Sequence, residues 1–180
     1  METFNIIGID PGNNLGISVF NIDTNLKIKS IITHYKFLED YPSNISGDKK
    51  IARLLYLQNL PYKLVNMYNP VAVGIETAFM NSRFPTAVMA LSQYVSTIEI
   101  NFINANNFIK FFKYPPKYIK KFINTGDANK KDMLAGIKKI KEITDVLDLQ
   151  GRTEHEIDAT AIAYVTLQEI RSYPLVLCSI

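Results

Sequence analysis

The sequence predicts an α/β domain built on a mixed five-stranded sheet, three antiparallel strands followed by parallel crossovers, flanked by helices. Three observations predict it. Three strand-like segments follow one another at the N-terminus with only short turn signals between them. A wholly apolar run, Val71–Ile75, reads as the central strand of a covered sheet. Apolar residues then recur at helical spacing through much of the second half, in the order expected of crossover units.

Taken in order, Phe4–Ile9, Leu15–Ile22 and Leu26–Phe37 are predicted strands, with turns at Pro11-Gly12 and Asp23-Thr24-Asn25. Asp48 is placed to cap a helix in which Ile51, Leu54, Leu55 and Gln58 share a face, and Pro61 should kink or interrupt it. After Val71–Ile75, a helix is expected from Pro85 to about Ile98, with proline in its first turn and Val88, Leu91 and Val95 at helical spacing. A fifth strand is expected at Glu99–Asn104 and another helix from Asn106-Asn107. Asp127 or Asn129 should start a helix running through Lys141, and Glu154–Arg171 supplies the last long one. The apolar tail Pro174–Leu177 is too short for a membrane span and is expected to pack on the body or on a second subunit.

The 180 residues suffice for one well-packed domain and are few for two. Strand residues begin at once, with no basic, then apolar, then small-residue leader. A single cysteine, Cys178, excludes an internal disulfide framework and a cysteine-based zinc cluster. Together these give the expectation of a reducing, cytoplasmic setting. The net charge is only +3, yet Lys110–Lys131 holds seven lysines and one acid, a local +6 that leaves −3 for the rest. Such a concentrated patch suggests a polyanion partner; the bland alternative is a solvated face.

The chemistry is carried by acids at the ends of apolar elements. Asp10 ends the first strand, in Gly8-Ile9-Asp10-Pro11-Gly12, and Glu76 ends the central one, in Ile75-Glu76-Thr77. Side by side, these strands would bring both carboxylates to one sheet edge, where they suit a hard cation such as Mg²⁺. In Glu154-His155-Glu156-Ile157-Asp158, His155 and Asp158 are three apart and share a helical face. Asp158 begins the buried face, where an unpaired acid is costly. Acids of this kind make sense as ligands of shared divalent cations, which activate water and stabilise the leaving oxygen of a phosphodiester. Alternatively, Glu76 and Asp158 are cap or salt-bridge residues and Asp10 is a solvated turn aspartate.

Gly8–Gly12, Ile75–Met80 and Asp158–Ala163 together resemble, in order and spacing, the three metal-site motifs of RuvC-type Holliday junction resolvases. The resemblance spans about residues 4–170 and implies a ribonuclease-H-like fold, a homodimer, and symmetric nicking of four-way DNA junctions with Mg²⁺ or Mn²⁺, two ions per site. It makes Asp10, Glu76 and Asp158 the catalytic metal ligands. His155 stands where many relatives carry aspartate, as a further ligand or as a base. It matches Phe79 to an aromatic that stacks at the junction, Lys110 to a DNA-facing lysine on a helix, and Lys130 with Lys131 to a basic helix start. Set against typical members, the chain has a basic, aromatic insertion around 111–125 that adds Lys113, Lys117, Lys120 and Lys121 as candidate DNA contacts. Tyr114 and Tyr118 become candidates for stacking on unpaired bases. Lysine outnumbers arginine sixteen to four, the imprint of an A+T-rich genome such as that of a phage or a low-G+C bacterium. The alternatives are a less selective flap or fork nuclease, a catalytically silent DNA-binding module, and an actin-like phosphatase. The last normally needs two such domains.

Overall fold

Three β-branched-rich strands pair antiparallel because a turn tight enough to reverse the chain links each to the next. In a computed structural model, which describes residues 2–37, 49–78, 85–124 and 130–173, β1 (Thr3–Asp10) pairs with β2 (Asn14–Asp23), from Thr3 opposite Asp23 to Asp10 opposite Gly16. β2 pairs in turn with β3 (Ile28–Phe37), and the Asp23 carboxylate closes their turn by accepting from the amides of Asn25 and Lys27 at 2.9 and 3.0 Å. Helix α1 (Lys49–Tyr68) crosses to β4 (Pro70–Glu76), which lies parallel to β1 with Ile9 opposite Ile75. Helix α2 (Pro85–Ala105) crosses to β5 (Lys110–Tyr114), parallel to β4. Helices α3 (Pro116–Ile123), α4 (Lys130–Lys138), α5 (Lys141–Thr144) and α6 (Glu154–Ser172) follow. The strand order is β3-β2-β1-β4-β5, the mixed five-stranded sheet expected.

Alternation along the strands divides the core into two layers. Ile7, Ile9, Leu15, Ile17, Val73 and Ile75 face α1 and α2, meeting Leu57, Leu60, Ile98 and Phe102. Ile6, Phe20, Ile22 and Ala72 face the other way, onto α6 and the short helices, meeting Ile119, Ile137, Ile162 and Val165. Among the described residues, no helix is long and apolar enough to cross a membrane.

The fifth strand is not where the sequence suggests. Glu99–Asn104, whose first four residues alternate in the manner of a strand, continues α2, because Ile98 and Phe102 extend the buried face begun by Tyr94 and Val95. Asn106 ends that helix as an Asn turn, its side chain accepting from the Phe108 amide at 3.0 Å, so no helix starts there. Lys110–Tyr114, expected partly on a helix and partly in an insertion, forms β5 and is stopped by Pro115-Pro116. Pro116 then suits the first turn of α3. Nor does Pro61 interrupt α1, which runs through it as one helix with the ring buried. The helix expected to run through Lys141 is two, with a break at Lys139-Ile140.

Candidate active site

Asp10 and Glu76 are the last residues of neighbouring parallel strands, so the sheet itself sets their carboxylates side by side at one edge. Helix α6 supplies the rest, and three glycines admit it. A Cβ at Gly8 would occupy the backbone of Ala159 and Ala163, one at Gly16 the backbone of His155, and one at Gly74 the hydroxyl of Thr166. Close approach therefore explains these glycines. Turn conformation does not, since Gly151 has the one positive glycine φ among the described residues.

The N-terminus of α6 is fixed by a capping box, with Thr153 Oγ1 accepting from the Glu156 amide and the Glu156 carboxylate accepting from the Thr153 amide. Glu156 is buried and also accepts from Thr33 Oγ1 at 2.6 Å and Arg152 Nη1 at 3.3 Å. Burial pushes its pKa up, but these hydrogen bonds outweigh that and hold it below the usual carboxylate value. Glu156 is thus an anchor of α6 on β3, with its oxygens already engaged.

His155 Nδ1 donates to Asp10 Oδ2 at 2.7 Å, and its Nε2 lies 3.4 Å from Glu154 Oε1. The hydrogen bond to Asp10 leads in raising its pKa. Burial pushes Glu76 up to about 8, with the charges of Asp10 and Asp158 adding to the effect. Burial, then Asp10, pushes Asp158 up to about 6, and His155 opposes the shift. Lys120 of α3 opposes it for both acids, so its ammonium lies within electrostatic reach of the cluster. Acids that raise one another's pKa around a shared edge lack positive charge. A divalent cation meets that lack, and carboxylate oxygens with one imidazole nitrogen suit Mg²⁺ or Mn²⁺. No group of three such side chains among the described residues forms a ready-made ligand set. A cation would have to compete with His155 for the Asp10 oxygens.

A sequence model of the family "Crossover junction endodeoxyribonuclease RuvC" matches residues 6–166. The chain belongs to the RuvC family. Relatives named crossover junction endodeoxyribonuclease RuvC include those of Orientia tsutsugamushi, 26% identical over 88% of this chain and 92% of that one, and of Ruminiclostridium cellulolyticum, 27% identical over 88% of each. A third, from Chloroherpeton thalassium, is 32% identical over 52% of this chain, and the match spans about half of that relative's length (49%). Among solved structures, Thermus thermophilus RuvC in complex with a Holliday junction substrate superposes with a TM-score of 0.70 at 18% identity, covering 94% of this chain and 96% of that one. The yeast mitochondrial Holliday junction resolvase does so at 0.62 and 14% identity, covering 98% and 84%. These structures share the RuvC fold.

Within that family frame, the structure brings Asp10, Glu76, His155 and Asp158 together as the sequence suggested. The predicted DNA contacts scatter more. Lys117, Lys120 and Lys121 lie on α3, and Lys120 is within electrostatic reach of Glu76 and Asp158. Lys113, on β5, pairs with Glu99 at 2.9 Å. Lys110 opens β5 opposite Ala72, whereas Glu76 pairs with Tyr114 at the strand's other end, about 13 Å away at the usual strand rise. The lysine on the helix beside the acids is Lys120, not Lys110. Tyr114 is buried, stacked between Phe112 and Tyr118, and so is unavailable to DNA bases. The hydroxyl of Tyr118 donates to Glu169. Lys130 and Lys131 open α4. Phe79 lies outside the described residues, as do the side chains of Lys130 and Lys131 and the tail after Tyr173. Tyr35 was missed; it stacks on His155, and the pairing of Tyr35 with Gly16 across β2 and β3 is the signal that could have found it.

Proposed function

We propose that this chain nicks four-way DNA junctions by hydrolysing a phosphodiester at the edge shared by β1, β4 and α6. The observation that carries the reading is the convergence of Asp10, Glu76 and Asp158, with Glu76 pushed up to about 8 by burial and by the charges of the other two acids. Oxygens of these three acids, with a nitrogen of His155, would hold Mg²⁺ or Mn²⁺, two ions per site. When bound, such ions polarise the phosphoryl group and lower the pKa of water. The strands hold Asp10 and Glu76 on rigid backbone. Asp10 accepts from His155 Nδ1, so Nε2, 3.4 Å from Glu154 Oε1, would be the nitrogen that ligates a metal or accepts a proton when the ring is neutral. Lys120 neutralises phosphate beside the acids, with Lys117 and Lys121 extending the basic strip along α3. Lys130 and Lys131 at the start of α4, and Phe79 after Glu76, complete the proposed DNA contacts.

Paired symmetric nicks need two sites, and the described residues form one; we therefore read the chain as a homodimer. The exposed Met89, Ile100 and Ile103 of α2 are the apolar surface that supports this. Cleavage of synthetic four-way, flap and linear duplexes side by side, with and without Mg²⁺ or Mn²⁺, tests the reading. Paired nicks confined to the four-way junction are expected. Equal cleavage of flaps would make the enzyme a general branch nuclease, and binding without cleavage would make it a DNA-binding module.

A further inference from the structure

We propose that Tyr35 is a positioning residue for His155, with Asn14 holding it in place. Tyr35 lies near the end of β3 on the same face as Thr33, which reaches α6 at Glu156. Its ring stacks on the imidazole of His155 with centroids 6.1 Å apart and planes 18° from parallel, inside the range of aromatic pairs. Its hydroxyl donates to Asn14 Oδ1 at 2.9 Å. Asn14 and Asp10 flank the same three-residue turn between β1 and β2. The contacts therefore close a loop, from Asp10 to His155 to Tyr35 to Asn14 and back through the turn.

The backbone is cut to fit this arrangement. Gly16 pairs with Tyr35 across β2 and β3, and it is the residue whose missing side chain makes room for the backbone of His155. Two fixed points determine the imidazole plane. The hydrogen bond from Nδ1 to Asp10 sets one edge, and the Tyr35 ring closes one face. Without the ring, His155 keeps only its edge contacts, Nδ1 with Asp10 and Nε2 3.4 Å from the exposed Glu154 carboxylate, about which the imidazole can tilt, and Nε2 is no longer held in one direction. A solvent-facing tyrosine on a strand has no need of a partner for its hydroxyl, and Tyr35 is 43% exposed. Its hydrogen bond to Asn14 orients a ring that packing alone leaves loose.

The proposal rests on the catalytic reading of His155, and its test separates the two. Junction nicking and junction affinity would be measured for Tyr35→Ala, Tyr35→Phe and Asn14→Ala, alone and in a His155→Ala background. Tyr35→Ala is expected to slow nicking by roughly 10- to 100-fold, the scale of a misplaced catalytic group, with affinity unchanged. Tyr35→Phe, which keeps the ring, should retain most of the rate, and Asn14→Ala should fall between. In the His155→Ala background, Tyr35→Ala should add no further loss. Multiplicative losses there, a defect in affinity alone, or a wild-type rate for Tyr35→Ala would each overturn the proposal. A second readout needs no substrate: the Nδ1 proton of His155, followed by ¹⁵N-edited NMR, should be protected in wild type and Tyr35→Phe and exchange rapidly in Tyr35→Ala. Equal protection in all three would also overturn it. Wild-type protein that nicks no junction would instead defeat the catalytic reading, and the NMR comparison would still decide the role of Tyr35.

Discussion

At the residue scale, burying Glu76 beside two other acids has a consequence for stability. Its carboxyl has an ordinary value of 4.5 and is pushed up to about 8 in the fold, so folding favours the protonated form. Stability from this group is full below about pH 4.5 and is lost as the pH rises toward 8. Asp158, pushed from 3.8 up to about 6, acts with the same sign over a lower window. Glu142 and Glu156, held below the ordinary value, have the opposite sign, but their contribution is complete by about pH 5. The Tm of metal-free protein should therefore fall between pH 6 and 8, the fall should be smaller in Glu76→Gln, and Mg²⁺ should raise Tm more at pH 8 than at pH 6. A Tm slope identical in wild type and Glu76→Gln would mean Glu76 is not the titrating group. The same residues give a catalytic prediction. Asp10→Asn, Glu76→Gln and Asp158→Asn should each abolish nicking while junction affinity is kept, because removing negative charge beside phosphates does not weaken binding. Gel-shift and cleavage assays on one preparation check it, and joint loss of binding and folding would place these acids in a purely structural role. These acids were legible in the sequence because each ends or begins an apolar run. Tyr35 was not, because its meaning depends on a register that no local pattern reports.

At the element scale, α6 completes the site, and it sits so close to the sheet that Gly8, Gly16 and Gly74 have no room for a Cβ. Gly8→Ala places a methyl in the backbone of Ala159 and Ala163, which belongs to the helix and cannot swing aside. It should cost about 3 kcal/mol or more in denaturant unfolding, at the upper end for overpacked cores, and lower nicking through displacement of His155 and Asp158. Glu156→Ala removes the capping box and leaves Thr33 and Arg152 without that carboxylate. About 2–3 kcal/mol should be lost, against no more than about 0.5 kcal/mol at an ordinary exposed position. The three N-terminal strands were readable because turn residues punctuate them, and α6 because the small and apolar run after Asp158 marks a buried helical face. Residues 99–114 resist a local reading for a definite reason: Glu99–Phe102 has two-residue alternation, and only the continuation of the face from Tyr94 and Val95 through Ile98 to Phe102 identifies it as helix. Lys110–Tyr114 in turn owes its strand conformation to pairing with β4, whose partner residues lie 38 positions earlier in the chain.

At the scale of the whole molecule, the acidic edge is flanked by the basic helix α3, and two further outcomes follow. Light scattering at micromolar concentration should give a dimer, and a monomer with and without junction DNA would overturn the paired-site reading. The second outcome concerns salt. Each phosphate contact contributes about 0.9 to the slope of log affinity against log salt on B-form duplex. The basic segment between Lys110 and Lys131 does not act as one block, because the fold distributes its lysines unequally. Lys117, Lys120 and Lys121 share α3, and Lys120 already acts electrostatically on Glu76 and Asp158. Lys113 is paired with Glu99 at 2.9 Å, so its charge is compensated within the protein before any DNA arrives. Replacing the three α3 lysines with alanine should lower the slope by about two to three units and weaken junction binding. Replacing Lys113 alone should change the slope by much less than one contact, since a salt bridge is lost along with the charge. A triple variant with an unchanged slope would make α3 a solvated face, and a full-unit effect from Lys113 would mean that DNA displaces Glu99 from its partner.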